Sequence, residues 1–423
     1  MKRIMTLAAM FAAIAISFSA CTPEDNPGPE DDKNGQENVT PDDKPNEENN
    51  SENSGNTGTT TPTDNLAPEV KDGDNILVTN ADVEKFLTDV HYEDNDYSHT
   101  DLLTWAETNG VQVCPGKDTY KPQSYTIRWE ADAAAGDVAV TLTEGEWSRE
   151  YTVKAGGSYV EITNLVPNAH YRFEAKAGDK VLTSGEFSTY GKVRQLFIKT
   201  NIRNCRDLGG WATADGKTVR YRMIYRGGRL DPGDLAESGK DHFKAENIKA
   251  QLDLRYEEDV LQEGESPLKE LFEDYEFCAP LFKQGYTYLL KEGEKTRQTM
   301  KFIMDCVDNN KPVYFHCSLG RDRTGTVAML VLGILGVPEG DISQEYELTQ
   351  FAPFSWATST GEKTKMTRLA DYDGAAKYIW DGYVAEGETF ADGVEKYLLQ
   401  IGISQADIDK FRSNMLVDVP VAQ

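Results

Sequence analysis

The hydrophobic period of this chain changes once, near Gly191, and the change divides what its two halves can fold into. From about Lys117 to Ser188, apolar and polar residues alternate in the runs SYTIRWEA, DVAVTLTEG, REYTVKA, SYVEITNL, HYRFEAKAG and LTSGEFST. Period two marks strands with one buried face, and Gly, Asn and Asp between the runs mark turns. Short strands at this spacing imply an all-β sandwich over about 117–190. Beyond Gly191 the nearly all-apolar runs IKAQLDLR and KPVYFHC are interleaved with helical ones, TGTVAMLVLGILGV and GVEKYLLQIG. Strands apolar on both faces belong to a sheet covered on both sides. We therefore expect 191–423 to be an α/β domain with a central, mostly parallel sheet flanked by helices.

The N-terminus is of another kind. Residues 1–20, MKRIMTLAAMFAAIAISFSA, combine Lys2 and Arg3, an apolar run and small residues, the three parts of a secretory signal. Cys21 after Ser19-Ala20 resembles a bacterial lipobox, which implies lipidation at Cys21; an ordinary cleaved signal is the alternative. Residues 21–65 are almost wholly polar and cannot bury enough surface to offset the entropy of ordering, so a disordered acidic tether is expected. Its early acids, Glu24, Asp25, Glu30, Asp31 and Asp32, resemble surface-routing signals of Bacteroidetes-type lipoproteins, although a solvating spacer reads equally simply. In LVTNADVEKFLTDV, Asn80 or Thr79 caps a stripe of Val83, Phe86, Leu87 and Val90, giving a small helical element over 66–116. His91, Asp94, Asp96 and His99 match no metal-ligand spacing.

Charge and cysteines narrow the function. With 71 acidic against 44 basic side chains the net charge is −27, which argues against nucleic acid as a partner. An anionic ligand must then find a local basic pocket. Six cysteines include Cys21, leaving Cys114, Cys205, Cys278, Cys306 and Cys317, an odd and irregular set that makes no disulfide framework.

One of the five stands in VYFHCSLGRDRTG, where a β-branched and aromatic run stops at Cys317 and a helical run begins. Cysteine attacks as the thiolate, which a helix N-terminus and nearby cations favour. Backbone amides over Ser318, Leu319, Gly320, Arg321 and Arg323 can curl into a nest for a tetrahedral anion, with Gly320 allowing the turn. Arg323 can fork two oxygens at once, and Thr324 can hydrogen-bond the sulfur. All of this suits holding a phosphate in line with sulfur. A buried, inert cysteine ending a strand is the bland alternative, but it leaves the flanking residues without a reason.

Cys317-x5-Arg323-Thr324 resembles the signature of the protein tyrosine phosphatase superfamily. The form Cys-x-x-Gly-[Lys/Arg]-Asp-Arg-Thr-Gly resembles a narrower bacterial group that includes lipid phosphatases. The upstream NIRNCRDLGGW (Asn204, Arg206, Asp207), Tyr225-Arg226-Gly227-Gly228, with glycine in a serine position, and Asp253-Leu254-Arg255 resemble that group too. The resemblance runs from about 195 to the C-terminus and implies an α/β phosphatase fold and a cysteinyl-phosphate intermediate, with no cofactor. It also implies that Asp322 is the general acid, with Asp274, in FEDYEFCAPL, as the candidate on an upstream loop; helix capping or an arginine partnership is the bland reading of Asp322. Arg321 stands where lipid phosphatases carry a lysine that contacts further phosphates, or else pairs with a carboxylate. His316 tunes the loop, with Arg206, Asp207, Asp253 and Arg255 in support. Trp129 and Tyr171, in NLVPNAHYRFEA, resemble the core and tyrosine corner of a fibronectin III-like domain.

The expected function is phosphomonoester hydrolysis, with phosphotyrosine in proteins first and phosphoinositides or inositol polyphosphates as the alternative. A surface lipoprotein that binds without chemistry is the second alternative, and rhodanese-like sulfur transfer a weaker one. Location is expected at the outer membrane through the lipid, on the surface or the periplasmic face.

Overall fold

The computed structural model describes residues 66–95, 101–131, 136–198, 202–230, 237–266, 268–269, 271–278, 287–354 and 370–418. The leader, Cys21 and the polar tether lie outside those residues. The first half contains β1 (Asn75–Leu77), α1 (Ala81–Asp89), α2 (Asp101–Asn109), β2 (Tyr125–Arg128), β3 (Val138–Glu144), β4 (Trp147–Val153), β5 (Tyr159–Ile162), β6 (His170–Ala177) and β7 (Lys180–Tyr190). One sheet runs β1-β7-β6-β3-β4 and a second pairs β2 with β5. The alternation read from sequence is what joins them. Val138, Val140 and Leu142 of β3, with Tyr171, Phe173 and Phe187, share one buried cluster with Ile127 and Ile162 of the second sheet and Trp129 just past β2. At about 1.5–3 kcal/mol per large apolar side chain, this layer is what holds the two sheets together. Trp129 is buried core, and the Tyr171 hydroxyl accepts a hydrogen bond from Val166 N at 2.9 Å, closing the corner before β6.

The second half runs β8 (Arg194–Gln195), β9 (Arg206–Asp207), β10 (Lys217–Val219), β11 (Ile224–Gly227), α3 (Glu237–Ala245), β12 (Ala250–Asp253), α4 (Glu257–Glu263), β13 (Asp274–Phe277), α5 (Thr287–Lys291) and α6 (Gly293–Asp308). It continues through β14 (Val313–His316), α7 (Asp322–Ile334), α8 (Glu339–Glu347), a 3-10 turn (Leu348–Phe351), α9 (Ala370–Tyr383), α10 (Phe390–Gln400), α11 (Gln405–Met415) and β15 (Leu416–Asp418). Its main sheet is ordered β13-β12-β14-β11-β9-β8. The first four strands are parallel, whereas β9 and β8 add antiparallel at one edge. Every residue of β11, β12 and β14 is buried, because helices cover both faces. Val313 and Phe315 enter the large core with α6 and α7, while Tyr314 enters a smaller one with Phe243 of α3. Helix α7 is buried along its whole length, as an all-round apolar helix must be.

Residues 66–116, expected as a separate helical element, are shared between the halves instead. β1 adds parallel to β7 in the first sheet. Val83, Phe86 and Leu87 of α1 and Trp105 of α2 belong to the core of the α/β domain. Their helical spacing was legible, but their packing partner lies some 250 residues further along the chain. No helix among the described residues is long and apolar enough to cross a membrane.

Candidate active site

Between the end of β14 at His316 and the start of α7 at Asp322, the chain makes a tight loop in which Gly320 adopts φ +69°. A Cβ there would stand 2.2 Å from the Gly227 carbonyl oxygen, so only glycine fits. Four successive carbonyls of this loop are held from outside. Ser318 O accepts from Arg229 N (3.1 Å), Leu319 O and Gly320 O from Asn204 Nδ2 (3.4 and 3.0 Å), and Gly320 O and Arg321 O from Arg226 Nη2 (2.6 and 3.3 Å). In a trans peptide the N–H points opposite to the C=O of the preceding residue. Carbonyls turned outward at 318–321 therefore turn the amides of 319–322 inward, which is the nest an anion requires.

The braces are themselves anchored on α8. Glu345 accepts from Arg206 Nε and Arg226 Nη1, each at 2.5 Å, and all three side chains are buried. Burial, and then the like charge of Arg206, lowers the Arg226 guanidinium to about 10 against the pull of Glu345. Arg206 also bonds the Asn204 side chain, so the clamp closes on itself.

Cys317 is buried at the base of the loop, and its neighbours hold it in place. His316 Nδ1 lies 3.1 Å from the Cys317 carbonyl oxygen, and its Nε2 lies 2.8 Å from Gln251 Nε2. A neutral imidazole protonated on Nδ1 donates to the first and accepts from the second. Burial lowers the His316 pKa, outweighing the opposite pull of Asp253, and so favours this form. Arg323 donates through Nη1 to Leu254 O and to Asp259 Oδ2, both at 3.2 Å, and its guanidinium lies 4.2 Å from the centre of the Tyr256 ring. The Thr324 hydroxyl is buried in the first turn of α7, with no hydrogen-bond partner among the described residues.

Most of the expected site residues converge here, but not all. Asp322 opens α7; its Oδ2 accepts from Arg321 Nε at 2.7 Å and its Oδ1 from the Tyr346 hydroxyl. Asp253 accepts from the Arg255 amide and from two nitrogens of its guanidinium, and lies 3.9 Å from His316 Nδ1. Asp207 supports a different place: it accepts from Arg194 (3.1 Å) and from the amides of Arg222 and Gly209. Arg194 also binds Asn164 O, so this cluster joins the β-sheets to the α/β domain. Asp274 is the correction. Its register partner on β12 is Ala250, which pairs with Val313 on β14, whereas Asp253 pairs with His316. At about 3.3 Å per residue, Asp274 stands roughly 10 Å short of the cysteine end of the sheet. There it pairs with Lys311 at 2.5 Å, so it is not beside the loop.

Reading the sequence missed Glu345, Tyr346, Asp259 and Gln251. Only Asp259 left a local signal, as the acid three residues after the helix-capping position Tyr256, whose amide it accepts at 3.1 Å.

A model described as "Tyrosine phosphatase family" matches residues 199–417, just over half of the chain. This chain belongs to the tyrosine phosphatase family. A protein of Cupriavidus necator with a provisional tyrosine-protein phosphatase name is 29% identical over 163 residues, covering 34% of this chain and 59% of that one. A tyrosine-protein phosphatase of Nostoc commune is 25% identical over 135 residues, covering 28% and 46%. The chain thus spans about half the length of these curated relatives. Among solved structures, P. aeruginosa TpbA is similar at 14% identity with a TM-score of 0.27, covering 46% of this chain and 97% of that one. The catalytic core of the S. cerevisiae PP-IP phosphatase SIW14 is similar at 17% and 0.23, covering 37% and 88%.

Proposed function

We propose that the protein is a cysteine-dependent phosphomonoesterase that acts on phosphotyrosine in proteins through a cysteinyl-phosphate intermediate. The observation that carries this reading is the loop at Cys317, whose carbonyls are pinned outward so that its amides face the sulfur side. A phosphate seated there has its non-bridging oxygens met by amides and by the fork of Arg323, which stabilises charge spread over those oxygens in the transition state. The Cys317 thiolate attacks phosphorus, the bond to the leaving oxygen breaks, and Asp322 gives that oxygen its proton. Water then attacks the phosphoenzyme, Asp322 takes a proton from it, and the sulfur–phosphorus bond breaks to release inorganic phosphate. Thr324, whose hydroxyl has no partner among the described residues, can donate to the departing sulfur.

Phosphoinositides and inositol polyphosphates are the second reading, carried by Arg321 at the loop. Its Nε is engaged by Asp322, which leaves less of that cation for a second phosphate and favours phosphotyrosine. Binding without turnover fits poorly with a complete Cys317, Asp322, Arg323 and Thr324 set. The setting we propose is extracytoplasmic: export by residues 1–20, lipidation at Cys21, a tether to about residue 65, and a fibronectin III-like module that spaces or positions the catalytic domain.

The test is phosphate release from phosphotyrosine peptides, phosphoinositides and inositol polyphosphates by the wild type and Cys317→Ser. The variant should lose turnover on all three yet bind tungstate, since the nest remains. Turnover by the serine variant would sink the covalent mechanism, and preference for the inositol substrates would move the substrate class.

A further inference from the structure

Helix α8 brings two consecutive side chains to the loop. Glu345 clamps the carbonyl braces, whereas Tyr346 reaches the carboxyl of Asp322. The approach is built into the backbone. A Cβ on Gly325, one turn along α7, would stand 2.6 Å from Tyr346 Cδ2 and 2.7 Å from Cε2, so the ring lies flush against α7 because residue 325 is glycine. On its other side the ring packs on Tyr372 at 4.6 Å between centroids, and Tyr372 in turn donates to Glu339 at 3.1 Å. Both Tyr346 and Asp322 are buried, at 1% and 5% exposure.

We propose that Tyr346 is a positioning residue that orients the Asp322 carboxyl for proton transfer. The inference rests on the reading of Asp322 as general acid and goes one step deeper. Arg321 can only donate, so it holds Oδ2 in the same way whatever the protonation state of Asp322. The Tyr346 hydroxyl donates to one lone pair of Oδ1 in either state, and the other lone pair of Oδ1 is left to carry the proton that passes to the leaving oxygen. Tyr346 therefore keeps the plane of the carboxyl fixed through both halves of the cycle, and no proton leaves Tyr346 itself.

The experiment compares wild type, Tyr346→Phe, Asp322→Asn and the double variant in the full chain, using para-nitrophenyl phosphate and phenyl phosphate. The leaving group of the first needs little protonation, while that of the second needs more. Tyr346→Phe keeps the ring and should widen the ratio of the two kcat/KM values by about tenfold, part of the 10²–10⁴ that a positioned acid supplies. Asp322→Asn should widen it further, and the double variant should match Asp322→Asn alone, because Tyr346 acts through that carboxyl. An unchanged ratio in Tyr346→Phe, or an equal loss on both substrates, overturns the inference and makes Tyr346 a packing residue. A double variant clearly worse than Asp322→Asn overturns it as well. If Asp322→Asn itself leaves the ratio unchanged, the assignment of the acid has failed, and that outcome is distinguishable from failure of Tyr346 alone. Tungstate binding by Tyr346→Phe checks that the loop is intact; lost binding assigns Tyr346 to loop structure and overturns the inference too.

Discussion

Gly227 ends β11 against the loop, and replacing it with serine tests how tightly that place is packed. A Cβ on Gly227 would stand 2.3 Å from the Tyr314 hydroxyl oxygen, 3.1 Å from Tyr314 Cζ and 3.1 Å from Cys205 Cα. The ring cannot swing away freely, because it is fully buried, meets Phe243 edge-on at 5.2 Å and donates to Gly228 O at 2.6 Å. Overpacking of this kind costs about 1–3 kcal/mol, and the disturbed hydrogen bond about 1 more, so Gly227→Ser should lose about 2–4 kcal/mol. Activity should fall as well, since the Gly227 carbonyl abuts Gly320 in the loop. Tyr314→Phe alone should cost about 1–2 kcal/mol through the stranded Gly228 carbonyl. It also removes the atom at 2.3 Å and leaves the nearest contacts at 3.1 Å. The double variant should therefore be about as stable as Gly227→Ser, instead of weaker by the whole cost of Tyr314→Phe, a coupling of about 1–2 kcal/mol. Urea unfolding followed by tryptophan fluorescence at constant m, with phenyl phosphate turnover alongside, measures both effects. Simple additivity of the two losses, or a Gly227→Ser variant within about 0.5 kcal/mol of wild type, would refute the reasoning.

Arg323→Lys should lower kcat about 10²–10³-fold despite its retained charge, as expected when a preorganised donor to the transition state is lost; near-normal steady-state kinetics would make the arginine structural. Gly340→Ala should destabilise the chain by about 2–4 kcal/mol and depress activity, because its Cβ would meet Tyr92 O at 1.9 Å and push α8 outward; a neutral result in urea unfolding would contradict the contact. His316 makes stability depend on pH. Its folded pKa is lowered from 6.5, so below about that pH the unfolded chain binds a proton that the folded chain does not, and stability rises with pH through the window just beneath 6.5. Urea midpoints between pH 5 and 7.5 should show this slope in the wild type and a flatter one in His316→Gln.

What the sequence disclosed was whatever repeats locally or stands in one run. Val138, Val140 and Leu142 alternate because one face of β3 is wet, and Cys317 to Thr324 lie in a single loop whose chemistry can be read residue by residue. Asp274 shows the limit. Its strand was recognisable, but which end of a parallel strand lies beside the cysteine depends on pairing with β12, and pairing register is not written in the strand itself. Glu345 and Tyr346 sit in a helix in which eight of the nine residues are buried, so no amphipathic stripe marks its face and no spacing links it to the loop some 20 residues before. Residues 66–116 read as an element of their own because their helical stripe identifies a buried face without saying what buries it.

That same segment explains why so polar a helix as α8 can be buried. Glu339, Gln344, Glu345 and Glu347 would each be costly to desolvate without partners. Arg206 and Arg226 pair Glu345 and Tyr372 donates to Glu339; the other partners come from the segment before the family region, which begins at residue 199. Tyr92 donates to Glu347, Gln344 donates to Val90 O, Asn95 N donates to Glu339 at 2.9 Å, and Asp94 accepts from Gly340 N at 2.9 Å. Past the helix, Cys114 N and Gly116 N bond Gln350 O and Phe354 O, and Phe351 packs against Phe86, Trp105 and Tyr120. One face of α8 thus serves the loop at 317–323 through Glu345 and Tyr346, while another is completed by residues 81–95 and 101–120. Without that cover, the carboxylates of α8 would return to water and take the helix with them. The segment ahead of the family region is therefore structurally part of the site: it holds the helix that holds the loop.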